Sequence, residues 1–476
     1  MAKTEFDICV IGAGAAGLVV AAGGASLGAK VALVEKHKMG GDCLHYGCVP
    51  SKTLLQSAKV AQLMRDAARY AVPAARPDTR LTDVMERVAG VIKQIEPHDS
   101  PERFRELGVD VILGDGSFTD PNSFMVDGRA ITAKHFVIAT GSRAAVPHID
   151  GIDDVPYLTN EQVFDLREPV ERMIVLGGGP IGIEMAQAFG RLGSRVSVVQ
   201  RGSQILPKED PDMARIVAER LQAEGINLLT GHTPTRVEHR DGRFHLSLDD
   251  GQGNSQTITA SHFLVAAGRR PNIDGLGLDK AAVASDKGRI QVDARLRTSN
   301  KRIFAAGDVV GSYQFTHMAE HHAGVVLRNA IFRLPAKVEQ RVIPWATFCE
   351  PELARVGLSE TEARQQGVEH RVYSFPFQDM DRAKADGNTE GFAKIITTAK
   401  GKLLGAAIVG PHAGELIHEY VLAIAKGMKA ADLSNIIHIY PTLAQINRRV
   451  ADARMKEGLT PNTKKWIKRI FGLRGD

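Results

Sequence analysis

The chain has 476 residues, of which 43% are hydrophobic and 24% are charged, as expected for a globular protein of two to four domains. The net charge of +5 lies mostly in residues 451–476, so the rest of the chain offers no basic surface for nucleic acid. Four cysteines in so long a chain exclude a disulfide framework. The N-terminus has no signal-peptide pattern and no long apolar run follows, which predicts a soluble, cytoplasmic protein.

A short apolar run at residues 6–11 has the composition of a buried strand and leads directly into a glycine-rich turn. Gly12, Gly14 and Gly17 have the GxGxxG spacing, and an Ala-rich helical pattern follows them. Glycines at this spacing let a pyrophosphate approach the N-terminus of the helix. A second apolar run ends at Glu35, where an acid can hydrogen-bond a ribose. The pattern predicts a dinucleotide site.

The next motif, "GGDCLHYGCVPSK" at residues 40–52, contains Cys43 and Cys48. Pro50 is placed at the first turn of a predicted helix. A metal site would require CxxC spacing and further ligands, so no resident metal is predicted. Two cysteines five residues apart, across a loop and a helix start, can close a small disulfide. The helix N-terminus and Lys52, one turn further on, favour the Cys48 thiolate, and the pair suits electron transfer.

The strand, glycine loop and helix then recur, with Gly177, Gly179 and Gly182 in the same spacing. Two copies predict two bound dinucleotides. Eighteen residues after the third glycine the second copy has Gln200, followed by Arg201, where the first copy has an acid. A neutral amide beside a guanidinium can accept a 2′-phosphate, which favours NADPH. If Arg201 is only a solvated surface charge, NADH binds equally well.

Each repeat is followed by short β-rich runs separated by turn residues, at residues 109–142 and 235–272. Both stretches predict an antiparallel meander, so the duplication extends beyond the glycine loops. After residue 340 the pattern changes to a mixture of strands and helices, which predicts a third, α+β domain. Cys9 and Cys349 are both predicted to be core residues in buried strands. His321 and His322 are predicted to be surface or packing residues of a helix rather than catalysts.

The cysteine motif resembles that of the flavin-dependent pyridine nucleotide-disulfide oxidoreductases, the group of dihydrolipoamide dehydrogenase, glutathione reductase and mercuric reductase. "TSNKRIFAAGD" at residues 298–308 resembles the second flavin fingerprint of that family, and "ATG" at 139–141 and "FTHMAEHHAG" at 315–324 fit the same pattern. The resemblance extends to about residue 450.

The resemblance implies an α/β fold with two Rossmann-like dinucleotide-binding domains of the glutathione reductase type and a C-terminal α+β dimerisation domain. The expected boundaries are 1–150 with 269–342 for the FAD domain, 151–268 for the NAD(P) domain and 343–450 for the dimerisation domain. It also implies a homodimer in which the C-terminal domain forms the interface and the lip of the partner's active site.

The resemblance further implies that NAD(P)H reduces FAD and that FAD reduces the Cys43–Cys48 disulfide. Cys48 would lie against the flavin as the charge-transfer thiolate, Cys43 would exchange with substrate, and Lys52 would pair with Glu184. The expected FAD-binding residues are Gly12, Gly14, Gly17, Glu35, Gly41, Thr140, Gly141 and Asp308. The expected NADP-binding residues are Gly177, Gly179, Gly182, Gln200, Arg201 and Gly268.

One departure from the family bears on the substrate. Dihydrolipoamide dehydrogenases and glutathione reductases carry a His before Pro-Thr and a Glu five residues later, where this chain has Tyr440 and Gln445. A tyrosine is a poor proton acceptor at neutral pH, and His438 is the alternative base. Mercuric reductases also carry a Tyr there, although this sequence lacks their C-terminal vicinal cysteine pair.

These features predict an enzyme that passes electrons from NADPH to a metal ion or a small electrophilic acceptor. A dihydrolipoamide dehydrogenase-type enzyme is the alternative. A third reading is a non-enzymatic flavoprotein attached to a membrane or partner, and retention of both cysteines, Lys52 and Glu184 argues against it.

Residues 451–476 form a basic amphipathic tail. Trp466, Ile467, Ile470 and Phe471 share one predicted helical face, with basic residues around them. Such a helix can lie on an anionic membrane or dock on a partner protein. The alternative is that it caps the dimer interface of its own chain.

Overall fold

The computed structural model describes residues 4–311 and 313–475. Residues 1–3 and Ser312, in the predicted flavin domain, and Asp476, at the end of the predicted tail, lie outside the described residues. In the described part, no helix combines the length and the apolar character needed to cross a membrane. The architecture is mixed α/β, with two mainly parallel sheets and one five-stranded antiparallel sheet.

The first part of the chain folds around a parallel sheet. The strands in this part of the chain are β1 (Phe6–Ile11), β2 (Val31–Glu35), β3 (Asp110–Leu113), β4 (Gly116–Asp120), β5 (Ser123–Val126), β6 (Arg129–Ile138) and β7 (Ser142–Ala144). Its helices are α1 (Ala15–Ser26), α2 (Gly41–His45), α3 (Cys48–Arg65), α4 (Leu81–Ile95) and α5 (Pro101–Glu106). β3, β2, β1 and β6 lie side by side in parallel. β1 and β2 are continuous apolar runs because both faces of a parallel sheet are covered.

The meander predicted at residues 109–142 is present only in part. β4, β5 and β6 pair antiparallel, as predicted. β3, the first run of that stretch, instead pairs in parallel with β2. The reason is that helices, ending with α5, return the chain across the sheet, so β3 enters in the same direction as β2.

The second repeat builds a smaller sheet of the same kind. Its strands are β8 (Arg172–Leu176), β9 (Arg195–Gln200), β10 (Asn227–Thr230), β11 (Thr233–Arg240), β12 (Arg243–Asp249), β13 (Ser255–Ala260) and β14 (His262–Val265), and its helices are α6 (Pro180–Arg191) and α7 (Pro211–Ala223). β10, β9, β8 and β14 are parallel neighbours in that order. The second predicted meander is present as the antiparallel strands β11, β12 and β13.

After the second repeat, the chain returns to the first sheet. The elements here are β15 (Arg269–Pro271), β16 (Ser285–Asp286), β17 (Arg289–Ile290), β18 (Ile303–Ala305) and α8 (Thr316–Ala330). β15 pairs with β7, and β18 pairs in parallel with β6. Helix α8 packs against α1, where Leu327 closely approaches Gly23. This return brings Asp308 and the start of α8 to the first glycine loop.

The last part of the chain is an α+β unit, as predicted. Its strands are β19 (Pro344–Thr347), β20 (Glu352–Gly357), β21 (Arg371–Pro376), β22 (Phe392–Thr397) and β23 (Leu403–Gly410). Its helices are α9 (Glu360–Gln365), α10 (Asp381–Ala385), α11 (Ala413–Leu416), α12 (His418–Ala425), α13 (Ala430–Ser434), α14 (Gln445–Glu457) and α15 (Pro461–Phe471). The strands form an antiparallel sheet in the order β19-β20-β23-β22-β21, and the helices from α11 to α14 pack with it around a buried apolar core.

The predicted core residues are buried, with one difference in position. Cys9 lies in β1, but Cys349 lies in the turn between β19 and β20 rather than in a strand. Pro351, two residues further on, has no N–H to give to a strand ladder, and β20 starts just after it. His322 is buried and accepts a hydrogen bond from the Gly307 N–H, so it is a packing residue as predicted.

Candidate active site

The first glycine loop connects β1 to α1 at the carboxyl end of the parallel sheet. Gly12 has a φ of +102°, and a Cβ there would lie 2.5 Å from the Ala139 carbonyl oxygen. A Cβ on Gly17 would lie 1.9 Å from the Gly12 carbonyl oxygen, so only glycine lets the helix pack this close. A Cβ on Gly14 would meet no protein atom within 4 Å, because Gly14 faces an open cleft. The loop thus leaves room where a pyrophosphate would lie.

The Glu35 carboxylate, at the end of β2, closes this loop. One of its oxygens accepts a hydrogen bond from the Ala13 N–H at 2.7 Å, and the other accepts one from the His37 N–H at 2.8 Å. Glu35 also lines the cleft, so it lies where an acid can receive a ribose hydroxyl.

The second glycine loop, between β8 and α6, repeats this geometry. Cβ atoms on Gly177 and Gly182 would lie 2.4 and 1.9 Å from backbone oxygens, and Gly179 again faces open space. Gln200 takes the position of Glu35, because its side-chain oxygen accepts a hydrogen bond from the Gly178 N–H at 3.0 Å. Arg201 follows it and is exposed at the cleft. The second loop therefore keeps the closing hydrogen bond but carries no negative charge there.

The remaining predicted flavin residues line the same cleft. The Thr140 hydroxyl donates to the Asn272 carbonyl oxygen at 2.6 Å, which ties the "ATG" turn to the chain that returns after the second repeat. The Asp308 carboxylate accepts a hydrogen bond from the Ser142 hydroxyl at 2.6 Å, and burial raises the pKa of Asp308. Two predicted glycines, Gly41 with a φ of +60° and Gly268 with a φ of +130°, also line the cleft.

Arg269 is a cleft residue that the sequence reasoning missed. Its guanidinium donates to the Ser142 hydroxyl at 2.8 Å and lies 3.1 Å from an Asp42 carboxylate oxygen and 3.8 Å from one of Asp308. It therefore places positive charge between two carboxylates beside Cys43. The sequence does contain a pattern that indicates this residue. "AAGRRPN", which contains Arg269, follows β14 in the same way as "ATGSRAA" follows β6.

The two cysteines meet at the junction of two helices. Cys43 lies within the short helix α2 rather than in a loop, and Cys48 is the first residue of α3. No disulfide joins them in this structure, and the Cys43 thiol donates a hydrogen bond to the Cys48 sulfur. The Thr316 hydroxyl lies 3.5 Å from the same sulfur. Cys48 thus has two hydrogen-bonding partners at the N-terminus of a helix.

This environment stabilises the Cys48 thiolate. The hydrogen bond from Cys43 lowers the pKa of Cys48 to about 6, with further contributions from the Thr316 hydroxyl and the positive charge of Lys52. The same hydrogen bond, together with burial, raises the pKa of Cys43 well above its ordinary value. Cys48 is therefore the thiolate of the pair and Cys43 the protonated thiol.

The ion pair between Lys52 and Glu184 is present beside the cysteines. The Lys52 ammonium lies 2.8 Å from a carboxylate oxygen of Glu184, which is buried in helix α6. The other oxygen of that carboxylate accepts a hydrogen bond from the Phe348 N–H at 3.0 Å, and Lys52 lies 4.4 Å from the centre of the Phe348 ring. Phe348 comes from the antiparallel domain, and the sequence reasoning did not identify it.

Neither Tyr440 nor His438 lines the cleft that contains the cysteine pair of its own chain. Tyr440 is 64% exposed, does not line the cleft, and has its hydroxyl 3.4 Å from an Asp381 carboxylate oxygen. One ring nitrogen of His438 lies 2.9 Å from a carboxylate oxygen of Glu419, and the other lies 3.0 Å from the Ile436 carbonyl oxygen. In the single chain, His438 is therefore paired with Glu419.

The cleft that joins these groups has a volume of about 1930 Å³. Pockets for a single drug-sized ligand measure roughly 300–1,000 Å³. Both glycine loops, the cysteine pair and Asp308 line it. The open space in front of each loop and the size of the cleft fit two dinucleotides in one continuous site.

Two nucleotide loops that open on one cleft beside a thiol–thiolate pair define a dinucleotide-dependent redox protein. Comparison with known proteins specifies the class. A family model described as pyridine nucleotide-disulphide oxidoreductase matches residues 6–323, and the dimerisation domain of the same family matches residues 343–450. The chain belongs to this family of FAD-dependent oxidoreductases, which use a pyridine nucleotide as electron donor. The predicted fold class is thereby confirmed.

Individual relatives come from two branches of the family. The chain is 35% identical to a mercuric reductase of Staphylococcus aureus over 443 residues, 93% of this chain and 81% of the relative. It is also 35% identical to a dihydrolipoyl dehydrogenase of Chlamydia muridarum over 459 residues, 93% of this chain and 95% of the relative. A solved structure, the Cu(II) complex of the HOCl-induced flavoprotein disulfide reductase RclA from Escherichia coli, is 26% identical with a TM-score of 0.85, covering 94% of this chain and 99% of that one.

Proposed function

We propose that the protein is an NADPH-dependent FAD enzyme that passes electrons through Cys43 and Cys48 to a thiol-binding metal ion or a small electrophilic acceptor. The observation that carries the proposal is the cysteine pair itself, in which Cys48 is stabilised as a thiolate and Cys43 is kept as a protonated thiol. Both cysteines line a cleft that Tyr440 of the same chain does not line. FAD, when bound, accepts a hydride from the reduced nicotinamide and supplies two electrons to a disulfide.

The proposed roles of the protein groups follow from their contacts. Cys48, at the start of α3 and one turn from Lys52, would be the thiolate next to a bound flavin. Cys43 is the exchanging sulfur, and a thiophilic metal ion would displace its proton and be held by both cysteines. Glu184, fixed by Lys52 and the Phe348 N–H, holds the ammonium beside the reacting groups.

The preference for NADPH is supported by charge at the second glycine loop. Gln200 makes the loop-closing hydrogen bond without a carboxylate, so nothing there repels a 2′-phosphate. Arg201 is exposed and lines the cleft, and so does Lys208, which the sequence reasoning did not identify. Two cations and a neutral amide match a phosphate better than a ribose hydroxyl.

A homodimer is supported by the exposed apolar surface of the C-terminal domain. Ile437, Ile439, Tyr440 and Leu422 are between 59% and 92% exposed in the single chain. Large apolar side chains exposed to this degree are typical of an interaction site, and the family's dimerisation domain covers these residues. We expect Ile437→Glu with Ile439→Glu to shift sedimentation towards a monomer.

The test is an acceptor screen with FAD-loaded protein and NADPH, with an excess of low-molecular-weight thiol only in the Hg²⁺ assays, where it keeps the metal ion from inactivating the protein. Hg²⁺, Cu²⁺, lipoamide, glutathione disulfide, quinones and O₂ are the acceptors. We expect the highest kcat/KM with a metal ion, and loss of that activity in Cys43→Ser while NADPH still reduces the flavin. Equal metal-dependent rates in Cys43→Ser and wild type would contradict the cysteine route.

The second candidate is a dihydrolipoamide dehydrogenase-type activity, which the pairing of His438 with Glu419 favours. A His–carboxylate pair is the acid-base group that this reaction needs. Here, however, the His438 side chain is 6% exposed, and it would have to leave Glu419 to reach a partner's cysteines. A lipoamide rate that falls in His438→Gln would support this candidate and place it ahead of metal reduction.

A further inference from the structure

The last helix of the chain has an apolar face that is largely exposed, with only Ile467 half-buried. None of the residues of α15 is buried. Trp466 and Phe471 are each 70% exposed and Ile470 is 57% exposed, and all three lie on the same side of the helix. Leu473, just past its end, is 55% exposed.

The opposite side of this helix carries all of its basic residues. Lys464, Lys465, Lys468 and Arg469 occupy it, and Arg474 follows. Residues 458–475 contain no Asp or Glu, so these five positive charges have no acid within the segment to pair with. We call residues 459–475 the basic tail. An apolar stripe of aromatic and branched residues flanked by Lys and Arg is the pattern of a helix that lies in a membrane interface.

The family fold does not account for the basic tail. The dimerisation-domain match ends at residue 450, within α14, before the tail begins. The catalytic groups described above lie at the cleft, and none of the described tail residues lines it. The tail therefore requires a separate explanation.

Charge decides which occupant fits the apolar face. Residues 451–476 carry seven Lys and Arg against three Asp and Glu, which leaves the rest of this +5 chain close to neutral. The body of the same chain thus has no acidic excess to attract the tail, and pairing two tails would bring ten positive charges together. An anionic lipid surface supplies both the negative charge and the apolar layer.

We propose that the basic tail binds anionic phospholipid surfaces, with Trp466, Ile470 and Phe471 inserted between the headgroups and the lysines and arginines in contact with lipid phosphates. Three or four inserted side chains alone bind weakly, so the basic residues supply much of the affinity. Each basic residue near an anionic surface contributes about fivefold to the partition coefficient. Binding should therefore require anionic lipid and weaken with salt.

The experiment uses the FAD-loaded full chain and vesicles of phosphatidylcholine with or without phosphatidylglycerol. We expect co-sedimentation with the anionic vesicles at least about tenfold above that with neutral ones. Lys464→Glu with Lys468→Glu should abolish it, and Trp466→Ser with Phe471→Ser should weaken it at least tenfold. The matched control, Lys280→Glu with Lys337→Glu, changes the charge equally at exposed positions elsewhere and should leave binding unchanged.

Two further readouts separate the alternatives. Vesicles should shift the tryptophan emission of the wild type to shorter wavelength, and the shift should be absent in Trp466→Phe, which removes one of only two tryptophans. A chain truncated after residue 458 should keep its NADPH-dependent turnover and its sedimentation coefficient. Equal lipid binding by full and truncated chains would overturn the proposal. So would a loss of the dimer on truncation without any lipid effect, which would assign the tail to the dimer interface.

Discussion

At the scale of single residues, the four cysteines differ through their surroundings. Burial raises the pKa of Cys9 and Cys349 well above the ordinary value for a thiol. Cys48 has the opposite shift, because the Cys43 thiol, the Thr316 hydroxyl and the Lys52 ammonium all favour its charged form. The four side chains are chemically identical, but their surroundings favour the thiolate at Cys48 and the protonated thiol at Cys9 and Cys349.

Removing the Thr316 hydroxyl should raise the pKa of Cys48 from about 6. Thr316→Val loses one hydrogen bond to the thiolate, and at 3.5 Å and partial exposure we expect a shift of roughly half to one unit. In the two-electron-reduced protein, the Cys48 thiolate and the flavin should give a long-wavelength charge-transfer absorption band. This band should have its full intensity above the pKa of Cys48 and vanish as the pH falls through that pKa. The midpoint should move upward in Thr316→Val and stay in Thr316→Ser. Identical midpoints in Thr316→Val and the wild type would mean that Cys43 and Lys52 alone lower the pKa of Cys48.

Arg201→Ala should reduce the use of NADPH selectively. A charge-assisted contact to phosphate contributes about 1.5–3 kcal/mol, and the exposure of Arg201 favours the lower end, roughly tenfold in kcat/KM. The NADH value should stay within about twofold, because NADH has no 2′-phosphate. Steady-state kinetics with both coenzymes measure the ratio. A parallel fall with both coenzymes would make Arg201 a structural residue.

At the scale of secondary-structure elements, a buried ammonium joins the nucleotide-binding part to the antiparallel domain. Lys394 of β22 is buried and lies 2.8 Å from Asp210 and from Asp212, at the start of helix α7. Burial opposes ionisation of Asp210, but hydrogen bonds from Lys394 and Thr361 outweigh it and hold its pKa well below its usual range. The depressed pKa means that this contribution is present at neutral pH and lost only in strong acid.

Lys394→Met should therefore destabilise the protein at neutral pH by about 3 kcal/mol, because it leaves the buried Asp210 carboxylate without its cation. The temperature at which unfolding releases the flavin, measured by the rise in flavin fluorescence, should fall by several degrees. Lys402→Met, at an exposed position just before β23, is the matched control and should change little. A loss below about 0.5 kcal/mol would mean that water replaces the ammonium and that the contact adds nothing to stability.

At the scale of the whole molecule, the proposed dimer would make the substrate end of the site depend on a second copy of the chain. Tyr440 is exposed and does not line the cleft of its own chain, so the proposed dimer would bring it to the partner's cysteines. In that position a tyrosine followed by Gln445 supplies no base near neutral pH.

Lipoamide should accordingly be a poor substrate. Reduced lipoamide must lose a proton to attack the disulfide, and a positioned base contributes about 10²- to 10⁴-fold. Tyr440→His with Gln445→Glu should raise dihydrolipoamide oxidation well above the wild-type rate, while reduction of the flavin by NADPH stays nearly unchanged. Wild-type turnover of tens per second, within the usual range of roughly 1 to 10³ s⁻¹, would place lipoamide first among the candidate substrates.

The sequence by itself determined the features that depend on local backbone demands. Gly12 and Gly177 lie where φ is positive and a Cβ would strike a carbonyl oxygen, so the two loops are readable from residue type and spacing alone. The cysteine pair, the helix that begins at Cys48 and the antiparallel strands β4–β6 and β11–β13 follow from equally local patterns. The domain boundaries and the roles of the site residues stay predictions.

Only the tertiary structure decided which distant groups complete the site. Thr316 reaches Cys48 across 268 residues, and Phe348 and Arg269 come from other elements of the fold. Cys349 lies in a turn, and β3 leaves the meander for the parallel sheet. The physical reason is that such contacts depend on how whole elements pack, and no residue pattern within one segment records the position of its neighbours in space.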